Sequence, residues 1–336
     1  MKLSDPKASY LEHKYQIDSA IQKVLDSGSY ILGDEVRKFE SNFSKYIGVQ
    51  HAVGVASGTD ALWLGMKALG IGSGDEVITV SHTAVATVSA IIMTGAMPVL
   101  VDIEQRGFNI DPKNIGKAIS HKTKAILPVH LYGKPCNMDE IKLIAKKNRL
   151  HVIEDCAQST GAEINQEKVG SIGTIGCFSF YPTKNLGCFG DGGAITTNSK
   201  KLYEKLLLLR QYGWKKRYVS EIHGYNSRLD EIQAAILNVK LKYLDIDNNR
   251  RRDIAKSYGT CDEDSVHHLY VIKCRNRESK IKYLKDRGIK TAIHYPVPIH
   301  KQPAYRDLVR VSGSMKYTEL ASKQVLSLPM YPQVEL

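Results

Sequence analysis

Between residues 52 and 197 short apolar runs alternate with longer segments of helical period. The runs fall at 52–56, 76–80, 97–101, 125–129, 151–155, 177–181 and 194–197. Helix-period stretches fall between them at 60–69, 84–94 and 138–147. Strands alternating with helices make a mostly parallel sheet covered on both faces. The first 45 residues read as amphipathic helix, with Ile17, Ile21, Val24 and Leu25 at helical spacing. Beyond 197 come a helix at 202–212, a long helical stretch over 227–258, a strand at 267–273 and a helix at 279–287. The predicted architecture is a large α/β domain over 1–240 and a smaller α+β domain over 241–336. A long helix is expected to join them.

Composition narrows the function classes. Lys plus Arg number 47 and Asp plus Glu 35, a net charge of +12. Such a balance suits an anionic partner, whether nucleic acid, a membrane surface or a phosphorylated small molecule. The basic residues are scattered, and clusters such as Lys215-Lys216-Arg217 and Arg250-Arg251-Arg252 read as solvated surface. Zinc-finger spacing, RNP-like aromatics and a helix-turn-helix are absent, which argues against nucleic acid. No apolar run approaches the roughly 18 residues of a membrane span. The N-terminus lacks the apolar core of an export signal. The six cysteines form no C-x-x-C pair and read as reduced, mostly buried thiols in a cytoplasmic protein. No metal site is expected.

In parallel sheets ligands sit beyond the C-terminal strand ends. Three such places carry chemistry. Ser57-Gly58-Thr59-Asp60 opens a helix with small residues, a ready cradle for a phosphate, or else a plain N-cap. Residues 151–155 end in Glu154-Asp155. A carboxylate there needs a partner, either a cationic heteroaromatic nitrogen or a salt bridge. After 177–181 comes Lys184, followed by Gly187, Gly190, Gly192 and Gly193. A lysine becomes a nucleophile when its surroundings lower its pKa. Otherwise it is a loop lysine among turn glycines. Ser179 could add a hydroxyl to the phosphate. Together these are the parts of a pyridoxal 5′-phosphate (PLP) enzyme.

The chain resembles the DegT-like sugar-nucleotide aminotransferases, fold-type I PLP enzymes with an aspartate-aminotransferase-like fold. The resemblance runs from about Tyr10 to the end of the chain. Its motifs include Gly33-Asp-Glu-Val36 with Phe39-Glu40, Ala56-Ser-Gly-Thr-Asp-Ala-Leu62, Pro128-Val-His-Leu-Tyr-Gly133 and Ile153-Glu-Asp-Cys-Ala-Gln-Ser159. They continue with Phe178-Ser-Phe-Tyr-Pro-Thr-Lys-Asn185, Gly224-Tyr-Asn-Ser-Arg228, Ile293-His-Tyr-Pro296 and Leu328-Pro-Met-Tyr-Pro332.

The resemblance implies roles. Lys184 is the Schiff-base lysine and proton shuttle, and Asp155 pairs with the pyridine nitrogen. Gln158 contacts the ring face or its 3-hydroxyl. Gly58, Thr59 and Ser179 hold the phosphate. Asn226 reaches the cofactor of a neighbouring subunit, making the enzyme a homodimer. Arg228 lies in the same motif, and His294 and Tyr295 lie near the nucleotide-sugar site. The implied substrates are L-glutamate and a nucleotide-diphosphate keto sugar. Thr59-Asp60 matches members that aminate C3, for surface polysaccharide or glycosylated products. A lysine at 184, where PLP dehydratases of the family carry histidine, argues for transamination.

Three departures are visible. Relatives place an aromatic ring to stack on the cofactor at the position of Ala84, so His82 is the nearest ring for that task. The stretch 257–266 is short, and the chain stops soon after Pro332, so a shortened small domain with exposed apolar surface is expected. That shortening supports a rival reading as an impaired binding or regulatory relative, against which Lys184, Asp155 and Ser179 stand. A PLP enzyme of another type, dehydratase or sulfur-transfer, is the third reading. The lysine disfavours the first, and no cysteine in an evident nucleophile loop supports the second.

Overall fold

A computed structural model of the chain describes residues 1–334. The predicted alternation builds one large sheet. Its strands are β1 (His51–Val55), β2 (Glu76–Val80), β3 (Met97–Val101), β4 (Thr123–Ile126), β5 (His151–Asp155), β6 (Ile175–Ser179) and β7 (Gly193–Thr197). A further pair, β8 (Tyr270–Lys273) and β10 (Val325–Leu328), lies antiparallel in the C-terminal part. Between them in sequence, β9 (Arg310–Val311) returns to the edge of the large sheet. The large sheet runs β1-β7-β6-β5-β4-β2-β3-β9. From β6 to β9 every neighbour is parallel, and β7 is antiparallel to both of its own. Strands β2, β3 and β5 have the predicted bounds, because strands covered on both faces read as unbroken apolar runs.

Alternate side chains of one strand enter different cores. Val53, Cys177 and Ile195 join the cluster that buries the helix Gly58–Ala68. Their neighbours Ala52, Phe178 and Ala194 join a second cluster with Phe39 and Phe43. There Phe39 and Phe43 meet Phe178 and Phe180 edge to face. That second core is closed by the helix Asp34–Ile47, whose first turn is capped from far along the chain. Glu231 takes the backbone N–H of Gly33 at 2.6 Å, Glu35 at 2.9 Å and Val36 at 3.0 Å.

The expected joining helix is interrupted. Helices Glu231–Lys240 and Leu244–Ser257 are separated by a 3-10 turn at Leu241–Tyr243. The break falls where the predicted domains meet. Residues beyond 241 also return to the large sheet. Ile299 and Met315 pack with Val88 and Leu100. Asp102 accepts the N–H groups of Tyr317 and Thr318 at 2.9 and 2.8 Å, holding the start of the helix Lys316–Gln324. In the C-terminal part Ile254, Ala255, Tyr270 and Met330 form a buried cluster.

Candidate active site

Asp155 ends β5, inside the protein. Its Oδ2 accepts from the Thr87 hydroxyl at 2.8 Å and its Oδ1 from the Ala157 N–H at 3.1 Å. Both donors are neutral, and among the described residues no cation lies within ion-pair distance of it. Burial raises its pKa, and the hydrogen bonds and the Lys184 charge oppose that rise. Lys184 lies in the loop after β6. Enclosure by protein pushes its pKa down to about 8, against the pull of Asp155. Carboxylate and amine therefore share one field, as two strand ends of a parallel sheet dictate.

The cradle is built by close backbone approach. The helix Gly58–Ala68 follows β1, and Ser57 caps it by accepting the Asp60 N–H at 3.1 Å. The first-turn N–H groups of Gly58 and Thr59 have no carbonyl within the helix to reach. A Cβ on Gly58 would stand 2.5 Å from the Cβ of Ser179, so only glycine lets that serine sit against the helix start. Asp60 is engaged elsewhere. It accepts from the Ser227 hydroxyl at 2.6 Å, which itself accepts the Ala56 N–H at 3.1 Å. Ser227 thus fastens the Gly224–Arg228 motif to this cradle. The Asn226 side chain is left exposed, and Arg228 lies 5.9 Å over the Tyr212 ring.

A cavity of about 340 Å³ opens at Lys184, lined also by Gln158, Tyr181, His268, His294 and Tyr295. Gln158 receives the Tyr132 N–H at 2.8 Å and donates to the Tyr295 hydroxyl at 3.0 Å. Burial pushes Tyr295 up to about 12. His294 Nδ1 lies 2.8 Å from Ser327 Oγ, and its carbonyl accepts from the Tyr132 hydroxyl. A larger cavity, about 540 Å³, opens beyond Tyr132 and Leu269 and reaches neither Lys184 nor Asp155.

Lys184, Gln158, His294 and Tyr295 thus share one cavity, while Ser179 sits against the helix start that carries Gly58 and Thr59. His82 does not join them. Its ring has 0% exposure, and Nε2 is held 2.8 Å from the Tyr132 hydroxyl. A stacking ring must show a face to its ligand, so this placement does not suit the stacking expected of it. Thr87, Tyr132 and His268 were not singled out from the sequence. They meet the site across 68, 26 and 83 residues from their partners Asp155, Gln158 and Asn185, and no local pattern carries such a pairing.

His130, Glu154 and Cys156 have ligand atoms within 4.8 Å of one another. The first two are already committed. His130 Nδ1 accepts the Cys136 N–H at 3.0 Å, while Glu154 takes the N–H groups of Gly170, Ile172 and Gly173. The cluster braces the β5 end instead.

The residues present fit pyridoxal phosphate. Asp155 is a buried carboxylate with no ion-pair partner among the described residues, and a cationic ring nitrogen would answer it. Lys184 is an amine held near neutral pH. The glycine-opened helix start beside Ser179 suits a phosphate. A model of the DegT/DnrJ/EryC1/StrS aminotransferase family matches residues 12–336. The chain is 49% identical to dTDP-3-amino-3,6-dideoxy-alpha-D-galactopyranose transaminase of Aneurinibacillus thermoaerophilus, over 96% of this chain and 92% of that protein. It is 45% identical to dTDP-3-amino-3,4,6-trideoxy-alpha-D-glucose transaminase of Streptomyces venezuelae, over 98% and 91%. The crystal structure of S. venezuelae DesV in complex with a ketimine intermediate superposes with a TM-score of 0.96 at 45% identity, covering 99% of this chain and 94% of that one.

Proposed function

Since this chain belongs to the DegT/DnrJ/EryC1/StrS aminotransferase family, we propose that it moves an amino group from L-glutamate to the C3 keto group of a nucleotide-linked deoxysugar. It is a PLP-dependent sugar-nucleotide aminotransferase of amino-sugar biosynthesis. The observation that carries the reading is the shared field of Lys184 and Asp155 beside the Gly58 cradle, in a chain whose relatives are named as 3-amino-sugar transaminases.

When bound, the cofactor supplies an electron sink for charge that develops beside the transferred nitrogen. Asp155 would hold the ring nitrogen in its cationic form. The N–H groups of Gly58 and Thr59, with the Ser179 hydroxyl, would take the phosphate. Gln158 would lie against the ring or its 3-hydroxyl, steadied at both ends of its amide. Lys184, with its pKa near 8, can give and take a proton at Nζ close to neutral pH. His294 and Tyr295 would form the sugar-side wall of the Lys184 cavity, and Arg228, set over the Tyr212 ring, would take its part in the sugar site from the same motif as Asn226.

Asn226 points out of its own subunit, exposed, and would reach the phosphate bound by a second copy. Exposed Tyr30, Ile31, Tyr181 and Phe189 offer apolar surface for that homodimer. All six cysteines are free thiols, in keeping with a cytoplasmic enzyme fed by nucleotide sugars.

The test is a visible absorbance spectrum of the purified protein before and after L-glutamate, beside Lys184→Ala. A cofactor band that bleaches only in the wild type supports donor, cofactor and lysine together. Amination of a nucleotide 3-keto sugar by the bleached enzyme completes the reading. A wild type that binds the cofactor and ignores L-glutamate overturns the donor.

A further inference from the structure

His268 lines the Lys184 cavity without a part in the function above, and its neighbours settle its hydrogen-bonding state. Asn185 Nδ2 donates to the Val266 carbonyl at 2.9 Å and to Asn248 Oδ1 at 2.8 Å. A carbonyl can only accept, so the orientation of the Asn185 amide is fixed and its oxygen faces His268. Asn248 is oriented in turn by donating to the Thr160 carbonyl at 3.1 Å. Asn185 Oδ1 lies 3.2 Å from His268 Nδ1. That nitrogen must carry the proton, and in a neutral imidazole Nε2 is then a bare acceptor. Burial, with the charges of Lys184 and Arg251 nearby, keeps the ring neutral.

Two of its neighbours in the cavity are engaged at the atoms named next. Both ends of the Gln158 amide are used, and His294 Nδ1 is paired with Ser327. Nε2 of His268 has no partner among the described residues and calls for a donor from a ligand. A sugar hydroxyl is such a donor.

We propose that His268 is a specificity-determining residue that accepts, at Nε2, a hydrogen bond from a ring hydroxyl flanking the aminated carbon of the sugar. The assignment rests on the aminotransferase reading above.

Two measurements test it. In the whole protein labelled with 15N-histidine, the ring shifts should report His268 protonated at Nδ1 and bare at Nε2. In Asn185→Leu the two tautomers should mix. Protonation at Nε2 in the wild type overturns the proposal whatever the enzyme's activity. The second runs the reaction in reverse, with 2-oxoglutarate and two amino sugars. One, dTDP-3-amino-3,6-dideoxy-α-D-galactopyranose, has a 4-hydroxyl, and the other, dTDP-3-amino-3,4,6-trideoxy-α-D-glucose, lacks it. His268→Phe should lower kcat/KM for the first by about 10- to 100-fold. That loss should exceed the loss with L-glutamate by at least about tenfold. His268→Gln, whose amide oxygen can accept, should recover most of it. A loss confined to the first sugar identifies the C4 hydroxyl and a loss on both the C2 hydroxyl, and either supports the proposal. Equal losses on sugar and L-glutamate, no loss, or a shifted resting absorption band overturn it. A wild type inactive on both sugars and on L-glutamate overturns the aminotransferase reading and this assignment with it.

Discussion

Lys184 is a buried base, and its burial has a measurable signature. Its pKa falls from 10.5 to about 8 because the fold strips water from the ammonium. Between those values the unfolded chain holds a proton that the folded chain has released. Folding stability of the cofactor-free protein therefore rises with pH across that window. Lys184→Met removes the penalty. Its cofactor-free melting temperature should exceed the wild type's at pH 7, with the gap closing toward pH 10. Asp155→Asn keeps the Thr87 contact and loses the charge. The donor half-reaction should slow by about 100-fold or more, since an amide cannot hold a ring nitrogen cationic, and stopped-flow absorbance measures it. Both residues were legible in the sequence because each stands at the end of an apolar run. His82 was not, because nearness in sequence does not say which way a side chain turns. Its ring is drawn inward to Tyr132.

The helix Gly58–Ala68 shows what one missing methyl group permits. Gly58→Ala places a carbon 2.5 Å from Ser179 Cβ, closer than folded proteins allow. The serine must move away from the helix start, and cofactor affinity should drop about 10- to 100-fold in fluorescence titration. Ser179→Gly in the same chain relieves the clash without returning the hydroxyl. It should restore thermal stability and leave the affinity low. Most elements were readable because burial on both faces leaves an unbroken apolar run. Two were not. The 3-10 turn at Leu241–Tyr243 interrupts a stretch of good helix formers. β9 has two residues, too few for any period, and is placed by the Ser312 N–H bond to the Leu100 carbonyl and the Arg310 ion pair with Glu76 at 2.7 Å.

At the scale of the molecule, the proposed site needs two copies of the chain. Co-expressing Lys184→Ala with Asn226→Ala should produce mixed dimers in which one site carries both lesions and the other neither. Random mixing should return roughly a quarter of wild-type activity, while each variant alone stays near zero. Activity no higher than that of the separate variants would show the sites to be unshared. The expected two-part division rests on the change in pattern near 240. The return of Ile299, β9 and Met315 to the large sheet was not legible in the sequence, because those contacts join residues some 200 positions apart. Such distances also govern the making of the protein. Helix Asp34–Ile47 is capped by Glu231, 198 residues beyond Gly33. A ribosome adding about 5–20 residues each second needs roughly 10–40 s to deliver that carboxylate. Through that interval Phe39 and Phe43 have no finished core to enter, and the nascent chain offers a chaperone a greasy handle.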